Sequence, residues 1–453
     1  MNVLLINPPE YTLAGLHLTN TYAVELYNWA TLYKQDGHDV DVFDMYPEAQ
    51  HSGLRGNIGG DIYYDGIRIV TDTGVVRKCG NFENEKKIKG ILRTGLPYSM
   101  LEEKLNSKKY DKIVICATGT KTSITGTSWI YVFMPVYECI GICKKIQQES
   151  EIILMGEYTK LCPEVAKASG ADLVVSKPSA PRQFIETDIS LFYGKMPRRI
   201  NITTSYGCPN ECGFCYVSKT EKTDRTENSV DNVTYNIDRL IGEGCTKFRF
   251  LDSDMLRNWD SHLKPILQYI IDRGINVDLS SSGGVEPKYL TEEIAETMVA
   301  AGFKMIRVPL DNCDHSILDK WGSKKNVNDW DRAAKIACKH FDEVKSCQMI
   351  GFPGQTYKNS MESIRRCDDY DIEPDLSPFS PIPGTIYEDR TRNPEELHPL
   401  LFPYASPEFT VEQIENILEE RRPWYIKSSI TPNDIIQTKK IYVSSPAIPI
   451  PTN

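Results

Sequence analysis

Short apolar runs alternate along this chain with longer segments in which apolar residues recur every three or four positions, the signatures of strands and of amphipathic helices. The run Asn2 to Ile6 ends in Asn7-Pro8-Pro9 and reads as a strand entering a turn. Ala23, Leu26, Tyr27, Ala30 and Tyr33 then share a helical face, Gly37 stands where a C-terminal cap belongs, and Asp39 to Phe43 is the next strand. A strand, a helix and a strand within about 40 residues is the building block of a parallel sheet. Residues 50–108 interrupt the alternation with Gly-rich loops and a predicted hairpin, IYYDGIRIVTDTGVV, whose Asp-Gly and Thr-Gly pairs are turn chemistry. Strands at Lys112 to Ala117, Glu151 to Met155 and Asp172 to Ser176 follow, separated by helical patterns at Val136 to Gln147 and Pro163 to Ser169. Residues 1–186 therefore read as one doubly wound, Rossmann-like α/β domain.

A second alternation places strands at Ile200 to Thr204, Lys247 to Leu251, Asn276 to Ser280, Lys304 to Val308, Val344 to Ile350 and Asp375 to Phe379. Helices are predicted near 229–243, 260–273, 291–301, 328–340 and 358–370; Val233, Ile237, Leu240 and Ile241 form one such apolar face. Six strand-helix repeats over 187–390 predict a partial (β/α)6 TIM barrel, whose function belongs at the carboxyl ends of its strands. Residues 391–453 form a small C-terminal extension with one helix near 410–421 and a tail, SSPAIPIPTN, too Pro-rich to fold alone.

A chain of 453 residues is long enough for two domains and an appendage, and 40% hydrophobic with 25% charged residues is the composition of a globular protein. The net charge is −10 and no run of Lys and Arg makes a phosphate-tracking stripe, which argues against a nucleic-acid partner. Apolar runs are strand-sized, short of the roughly 20 residues of a membrane span. The opening MNVLLINPP lacks a basic leader, so a cytoplasmic location is expected. In that reducing compartment the 13 cysteines are thiols or metal ligands.

Three of them stand together. The segment Ser205-Tyr206-Gly207-Cys208-Pro209-Asn210-Glu211-Cys212-Gly213-Phe214-Cys215-Tyr216 follows the first strand of the second alternation. Thiolates spaced CxxxCxxC on a short Gly- and Pro-containing loop can wrap one iron-sulfur cubane and leave its fourth iron open. The competing readings are a structural zinc site, which asks for a fourth Cys or His that is not nearby, or three unrelated thiols. Cys139 and Cys143, four apart on a predicted helix, are expected to be core residues.

CxxxCxxC with an aromatic before the third Cys, in this position, resembles the radical S-adenosylmethionine (SAM) superfamily. The opening LLINPP and the segment GEYTKLCPEVAKASGADLVVSKPS are similar to the cobalamin-binding domain of its cobalamin-dependent subgroup, and FRFLDSDM, VEPKYLTEEIAETMVAAGFKMIRVPLDN, MIGFPGQT and SPIPGTIY resemble that subgroup's successive strand ends. The resemblance implies a [4Fe-4S] cluster on Cys208, Cys212 and Cys215, and SAM chelated to its open iron. It places Asp252 and Asp254 at the methionyl amine, Ser280, Ser281 and Ser282 with Gly283 and Gly284 at the ribose and carboxylate, and Arg307 at the carboxylate. Phe214, Gly351 and Phe352 would meet adenine. Read without the family, the aspartates are turn or N-cap residues, the Ser-Gly run a turn, Arg307 a solvated charge and Phe352 a core residue.

For cobalamin, the contacts implied are Pro8, Thr118, Gly119, Met155 and Gly156. The Asp-x-His-x-x-Gly motif that gives many such domains a cobalt ligand is replaced by Pro8-Pro9-Glu10-Tyr11-Thr12, and His17 is read as a loop residue. The implied activity is reductive cleavage of SAM to a 5'-deoxyadenosyl radical that takes hydrogen from an unactivated carbon, followed by methyl transfer from cobalt. The alternatives are a non-methylating radical reaction, a tRNA or ribosomal-protein methylthiotransferase, and a cobalamin or SAM sensor without catalysis. A small metabolite or peptide is the expected substrate, lined by Tyr11 and Tyr22 of the 10–22 loop and by Trp424, with flavodoxin or ferredoxin as electron donor.

Overall fold

The structure is a computed structural model that describes residues 1–13, 24–45, 62–64, 67–69, 91–94, 96, 98–117, 129–175, 186–192, 199–217, 225–281, 283–323, 325–392, 397 and 402–421. Two parallel sheets carry the α/β fold. The first contains β1 (Asn2–Asn7), β2 (Asp39–Asp44), β3 (Lys112–Cys116), β4 (Glu151–Met155) and β5 (Leu173–Val175), in the order β2-β1-β3-β4-β5. This is the strand order of flavodoxin-like doubly wound sheets, in which ligands meet the carboxyl edge where the winding reverses, here between β1 and β3. Leu4, Leu5, Ile6, Ile113, Val114 and Ile115 are completely buried, as expected for strands covered on both faces.

The second sheet contains β6 (Arg199–Ile202), β7 (Lys247–Phe250), β8 (Asp278–Ser281), β9 (Phe303–Arg307), β10 (Glu343–Ile350) and β11 (Glu373–Pro378), in chain order, with β6 and β11 at its two ends. Its strands are not continuously apolar. β7 reads KFRF and β10 reads EVKSCQMI, each with buried positions alternating with half-buried ones. One face is covered by helices: the Gln348 amide donates to Ser363 O in the helix Tyr357–Asp368, and Trp330 Nε1 in the helix Val327–His340 donates to Val308 O. The register puts Asn201, Arg249 and Ser280 abreast, with Arg307 opposite Lys345 and Cys347 opposite Asp375, on the other face. That face is polar.

The predicted hairpin forms, Ile62–Tyr64 pairing antiparallel with Ile67–Ile69. Other parts of the 50–108 span are more ordered than a loop reading expects. Ile91–Thr94 pairs antiparallel with Glu10–Leu13, so Tyr11, read as a loop residue, is a strand residue opposite Arg93. Tyr98–Ser107 is a helix, anchored by the buried Leu101 and Leu105. Cross-strand pairing and a four-residue apolar spacing made these elements where Gly content suggested loops. Among the described residues, no helix is long and apolar enough to cross a membrane.

Candidate functional site

The carboxyl edge of β6 continues into Ser205–Tyr206, which pairs antiparallel with Thr226–Glu227, and Gly207 then turns the chain at φ +85° into Cys208. The loop is clamped on both sides: Gly213 N donates to Trp321 O at 3.1 Å, and Ile386 N donates to Gly213 O at 3.2 Å. A Cβ on Gly213 would stand 2.5 Å from Ile386 Cδ1 and 3.0 Å from Trp321 O, so only glycine fits between two of the cysteines. Cys208 is buried, Cys212 and Cys215 are half-buried, and none is in a disulfide.

Burial pushes the Cys208 thiol up from its ordinary range, so a bound metal would be needed to hold it as thiolate. Among the described residues, the one trio of ligand-type side chains with all ligand atoms within 4.8 Å is Glu292, Glu296 and His340. Three thiols on one loop fall one short of the four ligands of a structural zinc site. A cubane held by three thiolates keeps its fourth iron open.

The two aspartates after β7 differ. Asp252 is 1% exposed; its Oδ2 accepts from Thr204 N at 3.2 Å, and its Oδ1 accepts from Thr204 Oγ1 at 2.8 Å and Ser205 Oγ at 2.5 Å. Asp254 Oδ2 accepts from Arg257 Nε at 2.8 Å, while its buried Oδ1 has no partner. Neither caps a helix; the next one, Leu263–Asp272, has His262 at that place. Gly283 runs against Asp252 O, which a Cβ would approach to 2.7 Å, and Gly284 runs against Pro309. The Ser-Gly run thus threads tightly between neighbouring strand ends.

Ser281 Oγ accepts from Arg307 N, and Ser281 O accepts from Arg307 Nη1 at 2.8 Å. Arg307 also reaches Asp375 Oδ2 at 3.3 Å, so it is an engaged residue of the polar face and not a solvated charge. Ser280 is half-buried, and Ser282 lies outside the described residues. Gly351 bends at φ +73°. Phe352 is 1% exposed, its ring enclosed by Trp321, Phe379 and Tyr387 with Phe214 at its edge. This strand end can therefore offer a ligand its backbone, and Phe214, half-buried, is the ring nearer the cysteines.

Sequence reading did not single out a buried charged group at the ends of β8 and β9. Lys325 Nζ donates to Glu286 at 2.8 Å, and Ser323 Oγ donates to Asp311 at 3.0 Å. Against burial, which works to lower it, Glu286 and Asp311 hold the Lys325 ammonium charged, and burial raises the Asp311 carboxyl. Asp311 sits at φ +62°, a strained backbone for a side-chain-bearing residue. No local spacing marks these partners; Lys325 and Glu286 are 39 residues apart.

In the first sheet, Pro8 and Met155 are buried at the carboxyl edge. Gly156, at φ +125°, lies so close to Ala117 that a Cβ would meet its backbone at 2.5 Å, joining the edges of β3 and β4. Thr118, Gly119, His17, Tyr22 and Trp424 lie outside the described residues, as does the Tyr11 side chain. Cys139 and Cys143 are fully buried, and burial pushes the Cys143 thiol up to about 12.

Residues 202–367 match the Radical SAM superfamily. The chain therefore carries a radical SAM domain, which spans 166 of its 453 residues. A radical SAM domain implies a [4Fe-4S] cluster and SAM, and Cys208, Cys212 and Cys215 lie within the matched segment. Among curated relatives, the ribosomal protein uS12 methylthiotransferase RimO of Petrotoga mobilis is 24% identical over 35% of this chain and 38% of its own. The tryptophan 2-C-methyltransferase of Streptomyces laurentii is 24% identical over 39% of this chain and 31% of its own. The chain thus spans about a third of the length of these two relatives. The radical SAM methyltransferase TsrM from Kitasatospora setae, with cobalamin and a [4Fe-4S] cluster bound, has a similar fold at TM-score 0.60 and 15% identity, covering 85% of this chain and 76% of that one. The cobalamin-dependent SAM radical enzyme OxsB aligns at TM-score 0.52 and 12% identity, covering 91% of this chain and 57% of that one.

Proposed function

We propose that this radical SAM protein is a cobalamin-dependent methyltransferase acting on an unactivated carbon of a small metabolite or peptide, with 1–186 as cobalamin domain, 187–390 as a partial-barrel catalytic core and 391–453 as an extension. The observation that carries the reading is the placement of three thiols at the carboxyl edge of a six-stranded parallel sheet that follows a sheet of order β2-β1-β3-β4-β5. When bound, the cluster supplies an electron to the SAM sulfonium and cobalamin supplies a methyl group to the substrate. The chain's own residues bind and orient. Asp254, whose Oδ1 is buried without a partner, would hold the methionyl amine, Arg307 the carboxylate, Ser280 the ribose, and Phe214 with the Gly351 backbone the adenine. Pro8, Met155 and Gly156, at the carboxyl edge of β1, β3 and β4, would hold the corrin. Flavodoxin or ferredoxin supplies the electron.

Anaerobic protein reconstituted with iron, sulfide and hydroxocobalamin should hold about four irons, keep its corrin bands through gel filtration and turn SAM into both 5'-deoxyadenosine and S-adenosylhomocysteine. The C208A/C212A/C215A variant should lose the iron and the cleavage; equal iron and turnover in that variant would refute the assignment. The missing histidine at the end of β1, together with the altered loops Ala117-Thr118-Gly119 and Met155-Gly156, supports as second reading a radical reaction without methylation on a vestigial cobalamin domain. Deoxyadenosine formed by corrin-free protein, with no S-adenosylhomocysteine, would establish it.

A further inference from the structure

The carboxylate of Asp252 joins separate parts of the chain at the root of the cysteine loop. Thr204 and Ser205, three to four residues before Cys208, give it three donors, at 3.2, 2.8 and 2.5 Å. Because the Thr204 hydroxyl proton is spent on Asp252, His262 Nε2, 2.9 Å from Thr204 Oγ1, must be the donor of that contact. His262 is 2% exposed, and burial lowers its pKa, favouring a neutral ring, which makes this contact as its Nε2–H tautomer. Thr204 O accepts from Asn228 N at 2.9 Å, and Leu251 N donates to Ile202 O at 2.9 Å, extending the β6–β7 ladder up to the carboxylate. Both Asp252 oxygens are thus turned toward the loop, whereas Asp254 keeps a buried oxygen without a partner.

We infer that Asp252, with Thr204, Ser205 and His262, is a latch that holds the loop in its cluster-binding shape, and that the two aspartates after β7 have separate tasks. Asp252 is a positioning residue acting through Ser205 and Thr204 on the cysteines; Asp254 is the one left to a ligand. The inference rests on the cluster assignment proposed above. An ordering cost otherwise incurred when the cluster enters is met by the fold beforehand. An amide at position 252 would turn a donor toward Thr204 N–H or toward the two hydroxyls, so Asp252→Asn breaks the latch without changing side-chain size.

The test compares reconstituted wild type, D252N, S205A and D254N by the rate of iron loss to a chelator and by SAM binding, read as the perturbation of the reduced cluster's electron paramagnetic resonance signal. D252N and S205A should each lose iron about tenfold faster, the scale of one charge-assisted hydrogen bond, and the D252N/S205A double variant should lose it no faster than D252N. D254N should keep the wild-type rate of iron loss and bind SAM about tenfold more weakly. S205A removes one hydroxyl and decides the matter should D252N fail to fold. Iron loss at the wild-type rate in S205A, or SAM binding lost in D252N with iron retention intact, overturns the latch. A wild-type protein that takes up no iron overturns the cluster assignment itself, a separate result.

Discussion

At the scale of single residues, the site is built by close approaches that exclude side chains and by carboxylates whose neighbours differ. Gly213 is the clearest case. A methyl group there meets the end of Ile386, which is 68% exposed and can move, and the Trp321 carbonyl, which cannot. Gly213→Ala should destabilise the loop by about 1–3 kcal/mol and lower iron incorporation, and adding Ile386→Ala should recover part of it. Iron content and melting temperature of the two reconstituted variants check this; full loading of the single variant would show that the clamp tolerates a methyl group. The pair Asp252 and Asp254 carries the same lesson. Two identical side chains, two positions apart, have opposite surroundings because one faces the root of the loop and the other faces Arg257.

At the scale of elements, alternation within a parallel strand is what separates the second sheet from the first. Strands buried on both faces carry an unbroken apolar run, VLLI in β1 and IVIC in β3, whereas β7 and β10 spend every second position on a polar face where Arg307, Cys347 and Asp375 stand. Helix ends are managed by local chemistry. The helix Tyr357–Asp368 opens on a capping box in which Thr356 Oγ1 accepts from Asn359 N and Asn359 Oδ1 accepts from Thr356 N, both at 3.2 Å. Thr356→Ala should cost about 1 kcal/mol, seen as a lower urea midpoint at unchanged slope; an unchanged midpoint would mean that tertiary packing alone holds this helix. The same Asn359 donates to Asp314 at 2.7 Å, so the cap also ties the helix to the segment after β9.

At the scale of the whole molecule, one buried cluster contains Leu4, Ile6 and Ile115 of the first sheet together with Cys208, Tyr216, Ile382 and Phe402. The net charge is −10. Several relatives act on tRNA or a ribosomal protein by name, yet a chain of this charge should not retain tRNA on a filter at about 150 mM salt, because phosphate binding needs released counterions and therefore cations. Retention at micromolar protein would reopen the methylthiotransferase reading. The order and type of the main elements, the hairpin, the glycine at the end of the first helix and the cysteine trio were legible in the sequence, because hydrophobic period, turn chemistry and ligand spacing are properties of short stretches of chain. Tertiary structure alone decided which carboxylate keeps a buried oxygen without a partner, that Arg307 reaches Asp375 across 68 residues, that Phe352 is sealed among rings and that Glu286 and Lys325 meet. Those partners are set by strand register and by the path of loops between strands, and no local pattern encodes the distance between side chains that the fold brings together.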